Sequence, residues 1–286
     1  MNVITIESGV AWGHVGNAAA VFCLQRLGIE AWPIDTVTFS NHPGHGGFRG
    51  RVTPAGEIED LVRGIAERGW LGATDAVLTG YLGDPAQGVA VRAAVGAVKS
   101  ANPGALWLLD PVMGDRKPGQ EGRIFVKPGI PEFLAQVAPL ADILTPNAFE
   151  FARLTGAAPD SLEAPGALEA IVAAARAYGP EVVVVKSLEF TPGTLTAVAV
   201  APDGAWAVDT PLLPTPGNGA GDAFAALFLA RYLVNRDVEA ALGLAVSSIH
   251  AVLAATVASG AAELALVAAQ DQLAAPARTV RTRPVG

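Results

Sequence analysis

The chain has 286 residues, 51% hydrophobic and 16% charged, with a formal net charge of −8. That balance supplies a large buried core and excludes a disordered chain, while an acidic surplus without any Lys/Arg cluster excludes an extended nucleic-acid surface. The single cysteine, Cys23, leaves no intrachain disulfide and no cysteine-based zinc site, which fits a reducing compartment.

The opening MNVITIESGV lacks the basic residues and long apolar stretch of a secretory signal, so a cytoplasmic protein is expected. VITI (3–6) predicts a first strand, followed by a helix near 15–27 in which Cys23 reads as core. Helical patterns near 57–69, 87–101 and 163–179 alternate with the apolar runs AVLT (76–79), ALWLL (105–109), DILT (142–145) and VVVV (182–185). This alternation predicts an α/β fold, a mostly parallel sheet with helices on both faces. Two late segments, 195–200 and 205–208, read as a hairpin around Pro202, Asp203 and Gly204, an antiparallel addition at one side. A helix follows GNGAGD (217–222), with Phe224, Leu227 and Phe228 on one face. The stretch 240–262 carries no formal charge and is long enough to span a bilayer. Its alanines, with Ser247, Ser248, His250, Thr256, Ser259 and Gly260, instead favour a helix buried against the sheet, and no membrane is expected. Without a linker or internal repeat, residues 1–286 read as one domain.

The polar residues fall where the strands end. Glu7, Ser8 and Gly9 follow the first run, Gly80 and Tyr81 the second, Asp110 the third, Pro146 and Asn147 the fourth, Lys186 and Ser187 the fifth. In a parallel sheet these carboxyl ends share one rim, where open α/β folds bind ligands.

GNGAGD is a glycine-rich turn opening a helix: its amides and the helix dipole suit an anion, and Asp222 adds a carboxylate beside it. An ordinary N-cap aspartate is the rival reading. DPVMGD places Asp110 and Asp115 around a tight turn, a pair suited to magnesium or simply to solvated loop acids. Asn147 and Glu150 lie three apart at a helix start; that spacing serves a cation or its waters, and equally a capping box. Lys186 is placed to meet a phosphate, with Ser187 a hydroxyl donor, or it is an exposed strand-end lysine. The loop FSNHPGHGGFRG (39–50) carries His42 and His45 without marked further metal ligands, so a substrate-facing loop is the better reading. Phe39, Tyr81 and Trp12 could offer ring faces to a flat ligand, and residues 117–127, with Gly119 and Gly122, read as a flap over phosphates.

Together these segments resemble the ribokinase-like superfamily and, within it, the pyridoxal kinases. The resemblance is carried by Ser8, GHVGN (13–17), WPIDTVTFSNH (32–42), TGYLG (79–83), DPVMGD (110–115), TPNAFE (145–150), VVKS (184–187) and GAGD (219–222), in that order along nearly the whole chain. GAGD with N-x-x-E marks only the superfamily, whereas TVTFSNH and TGYLG point to the pyridoxal branch.

The resemblance implies a three-layer α/β/α sandwich and ATP-dependent phosphorylation of the 5′-hydroxymethyl group of pyridoxal. It implies Asp222 as the base, with the amides of Gly219, Ala220 and Gly221 holding the transferring phosphoryl group. Ser8, Phe39, Pro43, Gly44 and Tyr81 match the substrate side. Asp110, Asp115, Thr145, Asn147, Glu150, Lys186, Ser187, Gly219 and the segment Thr210, Pro211, Leu212, Leu213 fall on the nucleotide side. Asp110, Asn147 and Glu150 belong to a Mg2+ network serving ATP; a monovalent cation and a homodimer are further implications. Pro43 stands where many pyridoxal kinases have threonine and His45 where tyrosine is common, so preference among pyridoxal, pyridoxine and pyridoxamine does not carry over. Ala220 excludes a cysteine hemithioacetal in this turn. A hydroxymethylpyrimidine kinase and a non-catalytic carrier of pyridoxal 5′-phosphate are the alternatives; a sugar kinase is disfavoured by the lack of a strand-rich lid insertion. The helix N-terminus is expected to favour the Asp222 carboxylate, with positioning and charge neutralisation dominating catalysis.

Overall fold

The computed structural model describes residues 1–286 apart from 117–120, 163, 165 and 216 and the side chains of 159 and 160. The elements run β1 (Asn2–Trp12), α1 (Asn17–Arg26), β2 (Glu30–Asn41), β3 (Gly50–Val52), α2 (Ala55–Glu67), β4 (Ala76–Thr79), α3 (Ala86–Ala101), β5 (Leu106–Leu109), β6 (Gly114–Asp115), β7 (Arg123–Ile124), α4 (Ile130–Val137), β8 (Ile143–Leu144), α5 (Ala148–Thr155), α6 (Ala167–Tyr178), β9 (Val182–Thr191), β10 (Thr194–Ala201), β11 (Gly204–Pro211), α7 (Ala220–Asn235), α8 (Val238–Ser259), α9 (Gln270–Ala274) and β12 (Arg283–Pro284). A ten-stranded sheet has the order β12-β11-β10-β9-β8-β5-β4-β1-β2-β3. The run from β9 to β2 is parallel; β10, β11 and β12 extend it antiparallel on one side, and β3 on the other.

Central strands are apolar on both sides because both faces are covered. Ile4 and Ile6 of β1 enter one core with α2, α3, α4, α5 and α6, whereas Val3 enters the other, with α1, α7, α8 and α9. This is the expected three-layer sandwich. Helix α7 is buried nearly all round, so its apolar residues exceed the single stripe of a surface helix. Helix α8 is long and apolar enough to cross a membrane, yet it packs Ala241, Leu242, Ala245, Val246, Ile249 and Val252 into the core beside α7. Asp237 caps its start through Ala240 N–H at 2.9 Å, and Gly260 ends it. Cys23 is core as expected, its thiol pushed up to about 12, mostly by burial.

Strand β2 was absent from the periodicity, because Pro33 interrupts it. The proline pairs with Thr5 of β1, while β3 covers only Val37, Thr38 and Phe39, so the missing N–H faces an unpaired edge. This long strand carries WPIDTVTFSN to the rim beside β1.

Candidate active site

The predicted rim exists. Asp110 leaves β5 with its N–H on Thr79 O at 2.8 Å, and Lys186 sits within β9, bridging in parallel to Asn147. Lys186 Nζ donates to both Asp110 oxygens at 2.9 Å, with the two side chains 13% and 2% exposed. It also lies 5.9 Å from the Phe224 ring centroid of α7. Burial alone would pull the lysine down, but Asp110 and Glu150 outweigh it and hold the ammonium above its ordinary value. Lys186 is therefore a charged, paired group rather than an exposed strand-end lysine.

Asp222 stands in the first turn of α7, and its Oδ2 accepts the Gly16 N–H at 2.7 Å. No side chain caps this helix, whose N-cap Gly219 has φ 81°. A methyl group on Gly219 would lie 1.8 Å from His14 O, so only glycine lets the 13–16 turn and the GNGAGD turn meet. A methyl on Gly221 would lie 3.3 Å from Lys186 Nζ and 3.7 Å from Asp110 Oδ2, which puts the open helix end against the ion pair. Of the three cradle amides expected to hold phosphate, that of Ala220 is engaged with Gly217 O at 2.9 Å. The Asp222 carboxyl is pushed up, mainly by burial and further by Asp110, against the lowering effects of the Gly16 N–H and Lys186. Burial therefore opposes the preference for the carboxylate expected at a helix end and holds the Asp222 carboxyl above its ordinary value.

The N-x-x-E pair forms a capping box. Asn147 Oδ1 accepts Glu150 N–H at 2.8 Å, and Glu150 Oε2 accepts Asn147 N–H at 2.9 Å. The Asn147 amide also donates to Gly114 O at 2.9 Å, so both ends of this side chain are occupied by protein. Glu150 Oε1 accepts Met113 N–H at 3.0 Å. Burial first, then Asp110, raises the Glu150 carboxyl to about 8 against Lys186 and the two amides. Each acceptor oxygen of Asp110, Asn147 and Glu150 thus already holds one protein donor, and the capping box fixes Asn147 and Glu150 against each other.

Asp115 is not brought into this group. Pairing of β6 with β7 turns its side chain to solvent, where it accepts Arg116 N–H at 2.8 Å. Among the described residues no three His, Cys, Asp or Glu side chains gather as a metal cluster. Thr145 is fully buried with its hydroxyl unpartnered, and Ser187 is exposed in a left-handed conformation with φ 60°. Thr210 and Pro211 end β11 on the same rim, two strands beyond β9; Leu212 N–H bonds Gly193 O at 2.9 Å and Leu213 leads toward α7. Residues 117–120 of the expected flap, Gly119 included, lie outside the described residues. The described part forms β7, and Gly122 packs on Phe149.

On the substrate side, Ser8 lies beside Gly16, and Phe39 is buried against Phe48 at a centroid distance of 4.3 Å. Tyr81 is half-buried, its carbonyl accepting the Thr36 hydroxyl at 2.7 Å. Pro43 and Gly44 form an exposed turn in which His42 Nδ1 accepts Gly44 N–H at 3.1 Å; Gly44 faces Asn218 of the GNGAGD turn. His45 turns to Glu263.

Glu7 was passed over as a strand-end residue. It is fully buried, and neither carboxylate oxygen has a partner. Burial first, then Asp222 and Asp110, raises it well above its ordinary value, with Lys186 opposing. Its carbonyl, with Ile34 O and Asp35 Oδ1, accepts from Asn17 Nδ2, whose bond to Asp35 is 2.7 Å. Gly16, Asn17 and Glu263 were likewise unassigned roles; only the GHVGN motif pointed at the first two.

The family model described as phosphomethylpyrimidine kinase matches residues 72–266. A pyridoxal kinase PdxY of Rubrobacter xylanophilus is 50% identical over 282 residues, covering 96% of this chain and 94% of the relative. That of Leifsonia xyli subsp. xyli is 46% identical over 290 residues, covering 100% of both. The chain belongs to the pyridoxal kinase family. Among solved structures, the pyridoxal kinase from Leishmania donovani in complex with ADP and pyridoxamine superposes with a TM-score of 0.91 at 27% identity, covering 100% of this chain and 99% of that one. Membership of the pyridoxal kinase family fits a helix end set against an ion pair on the rim of the sheet. It leaves this chain's own Pro43 and His45 to be read from their contacts.

Proposed function

We propose that this chain transfers the γ-phosphoryl group of ATP to the 5′-hydroxymethyl oxygen of pyridoxal, giving pyridoxal 5′-phosphate, with Asp222 receiving the hydroxyl proton. The observation that carries the proposal is Asp222 held by Gly16 N–H at 2.7 Å in the first turn of an uncapped helix that faces Lys186 and Asp110. A base raised by burial accepts a proton more readily than a solvated aspartate, and fixed placement beside the phosphoryl acceptor does most of the work in a loose transition state. The Gly219 and Gly221 amides at the helix end, with Lys186, meet developing phosphate charge. Ser8, Phe39, Tyr81 and the Pro43–Gly44 turn bound the pyridine ring; Asp110, Thr145, Glu150, Lys186 and Ser187, with the end of β11, bound the nucleotide.

The surplus of buried carboxylate over ammonium fits Mg2+, which would be held by Asp110 and Glu150 and would supply charge neutralisation of the ATP phosphates. Asn147 orients Glu150 through the capping box and would complete that magnesium network. We further read residues 1–286 as one domain, acting in the cytoplasm as a homodimer.

The test is ATP/Mg2+ turnover of pyridoxal, pyridoxine, pyridoxamine and hydroxymethylpyrimidine side by side, for wild type and Asp222→Ala. Pyridoxal turnover that the variant loses by about a thousandfold, with ATP binding retained, is expected. Preferential pyrimidine turnover would replace the substrate assignment, binding without turnover would favour a carrier, and wild-type-like turnover in the variant would remove Asp222 as base.

A further inference from the structure

Glu263 lies beyond α8, far in sequence from every motif, yet its side chain is only 9% exposed. Its Oε2 accepts His14 N–H at 2.8 Å, and its Oε1 meets His45 Nε2. The backbone beneath it is anchored: Leu264 and Leu266 are 3% and 0% exposed, and Ala265 N–H donates to Thr256 Oγ1 of α8 at 2.9 Å. Gly13, with φ 103°, is shaped to this carboxylate, since a methyl there would lie 2.3 Å from Oε2.

From that carboxylate two paths lead into the site. The first runs through His14, whose carbonyl packs on Gly219, to Gly16, whose N–H holds Asp222 at 2.7 Å. The second runs through His45, edge-on to Trp12 at 5.1 Å, to the loop bearing Pro43 and Gly44, where a methyl on Gly44 would lie 3.7 Å from Asn218 Nδ2. One acid therefore ties the β1–α1 turn, through a part-buried bond, and the β2–β3 loop, through an exposed one, to the C-terminal segment.

We propose that Glu263 is a positioning residue for phosphoryl transfer: through His14 it sets the turn that orients Asp222, and through His45 it holds the substrate-side loop. The inference rests on Asp222 being the base and on the 39–45 segment facing substrate. Removing the carboxylate frees both tethers, and displacements of about 1 Å at a reacting group cost on the order of a hundredfold in rate.

Steady-state kinetics with pyridoxal and ATP varied separately, on wild type, Glu263→Ala, Glu263→Gln and His45→Ala, test this. Glu263→Ala is expected to lower kcat at least about tenfold and to raise KM for pyridoxal about fivefold, leaving KM for ATP within about twofold. Glu263→Gln keeps an acceptor for His14 N–H, so kcat returns to within about threefold of wild type while KM for pyridoxal stays raised. His45→Ala raises KM for pyridoxal alone. Wild-type constants in Glu263→Ala overturn the inference, as does a kcat in Glu263→Gln as low as in Glu263→Ala. Should Glu263→Ala not fold, wild-type KM for pyridoxal in both Glu263→Gln and His45→Ala overturns it. A wild type that turns over no pyridoxal overturns the functional reading and this inference together; an active wild type with an indifferent Glu263 overturns the inference alone.

Discussion

Gly219→Ala tests how tightly the two turns at the base are fitted. Residue 219 has φ 81°, where an L side chain costs roughly 1–2 kcal/mol in backbone strain. The larger effect is steric: the new methyl would stand 1.8 Å from His14 O, against a normal approach of about 3.0 Å, so one turn must retreat by about 1.2 Å. The Gly16 N–H is two residues along the displaced turn. Lengthening its 2.7 Å bond to Asp222 by that amount takes it beyond hydrogen-bond range. A misplacement of about 1 Å is worth on the order of a hundredfold in rate, or about 2.7 kcal/mol of barrier. The control is Gly28→Ala, at φ 76° with open space around it, which pays the strain without the clash. Coupled measurement of ADP release with pyridoxal, alongside thermal melts, should show Gly28→Ala losing only the stability that strain costs and keeping its turnover, and Gly219→Ala losing more stability and about a hundredfold in kcat. Equal turnover in the two variants would refute the reasoning.

Two further variants test the acids. Asn147→Ala removes the capping box and should cost about 1 kcal/mol of stability while leaving kcat/KM for ATP within about threefold. A loss nearer a hundredfold, with a raised Mg2+ requirement, would return Asn147 to direct cation binding. Glu7→Gln tests the buried, unpartnered carboxyl. Its folded-state value lies above the ordinary 4.5, so the native chain holds an extra proton between the two values; stability is fullest below 4.5 and is lost as pH rises through the folded value. Glutamine cannot ionise, so the thermal midpoint of Glu7→Gln relative to wild type should rise as pH increases above the ordinary carboxylate range, and an offset independent of pH would count against a raised buried acid.

The strand ends were legible because a buried parallel sheet permits few polar residues except at its rim, so Asp110, Asn147 and Lys186 stood out from apolar runs. The limits were equally physical. Strand β2 was hidden by Pro33, whose cost vanishes only because β3 stops short of it. Helix α4 spans eight residues and gives little periodicity. Whether N-x-x-E meant a cap or a cation depended on where Gly114 O and Met113 N–H would lie, which no local spacing encodes. Asp115 looked equivalent to Asp110 until strand pairing turned it outward. Glu263 had no signal at all: an isolated acid in an apolar segment becomes part of the site only when the chain's end folds back over its beginning.

The charge balance of the site says what its acids are for. Glu7, Asp110, Glu150 and Asp222 surround one ammonium, Lys186, in a place meant for phosphates. Carboxylates repel phosphate, so affinity must come from helix amides and Lys186, and each acid needs a separate reason to be present. Asp222 has one as a proton acceptor, and Asp110 has one in keeping Lys186 charged. Glu150 is held by two amides and raised to about 8, mainly by burial, and a cation held with Asp110 would favour its carboxylate. Glu7 alone touches neither amide nor ammonium through its carboxyl, and its burial, with Asp222 and Asp110 nearby, raises it toward the neutral form.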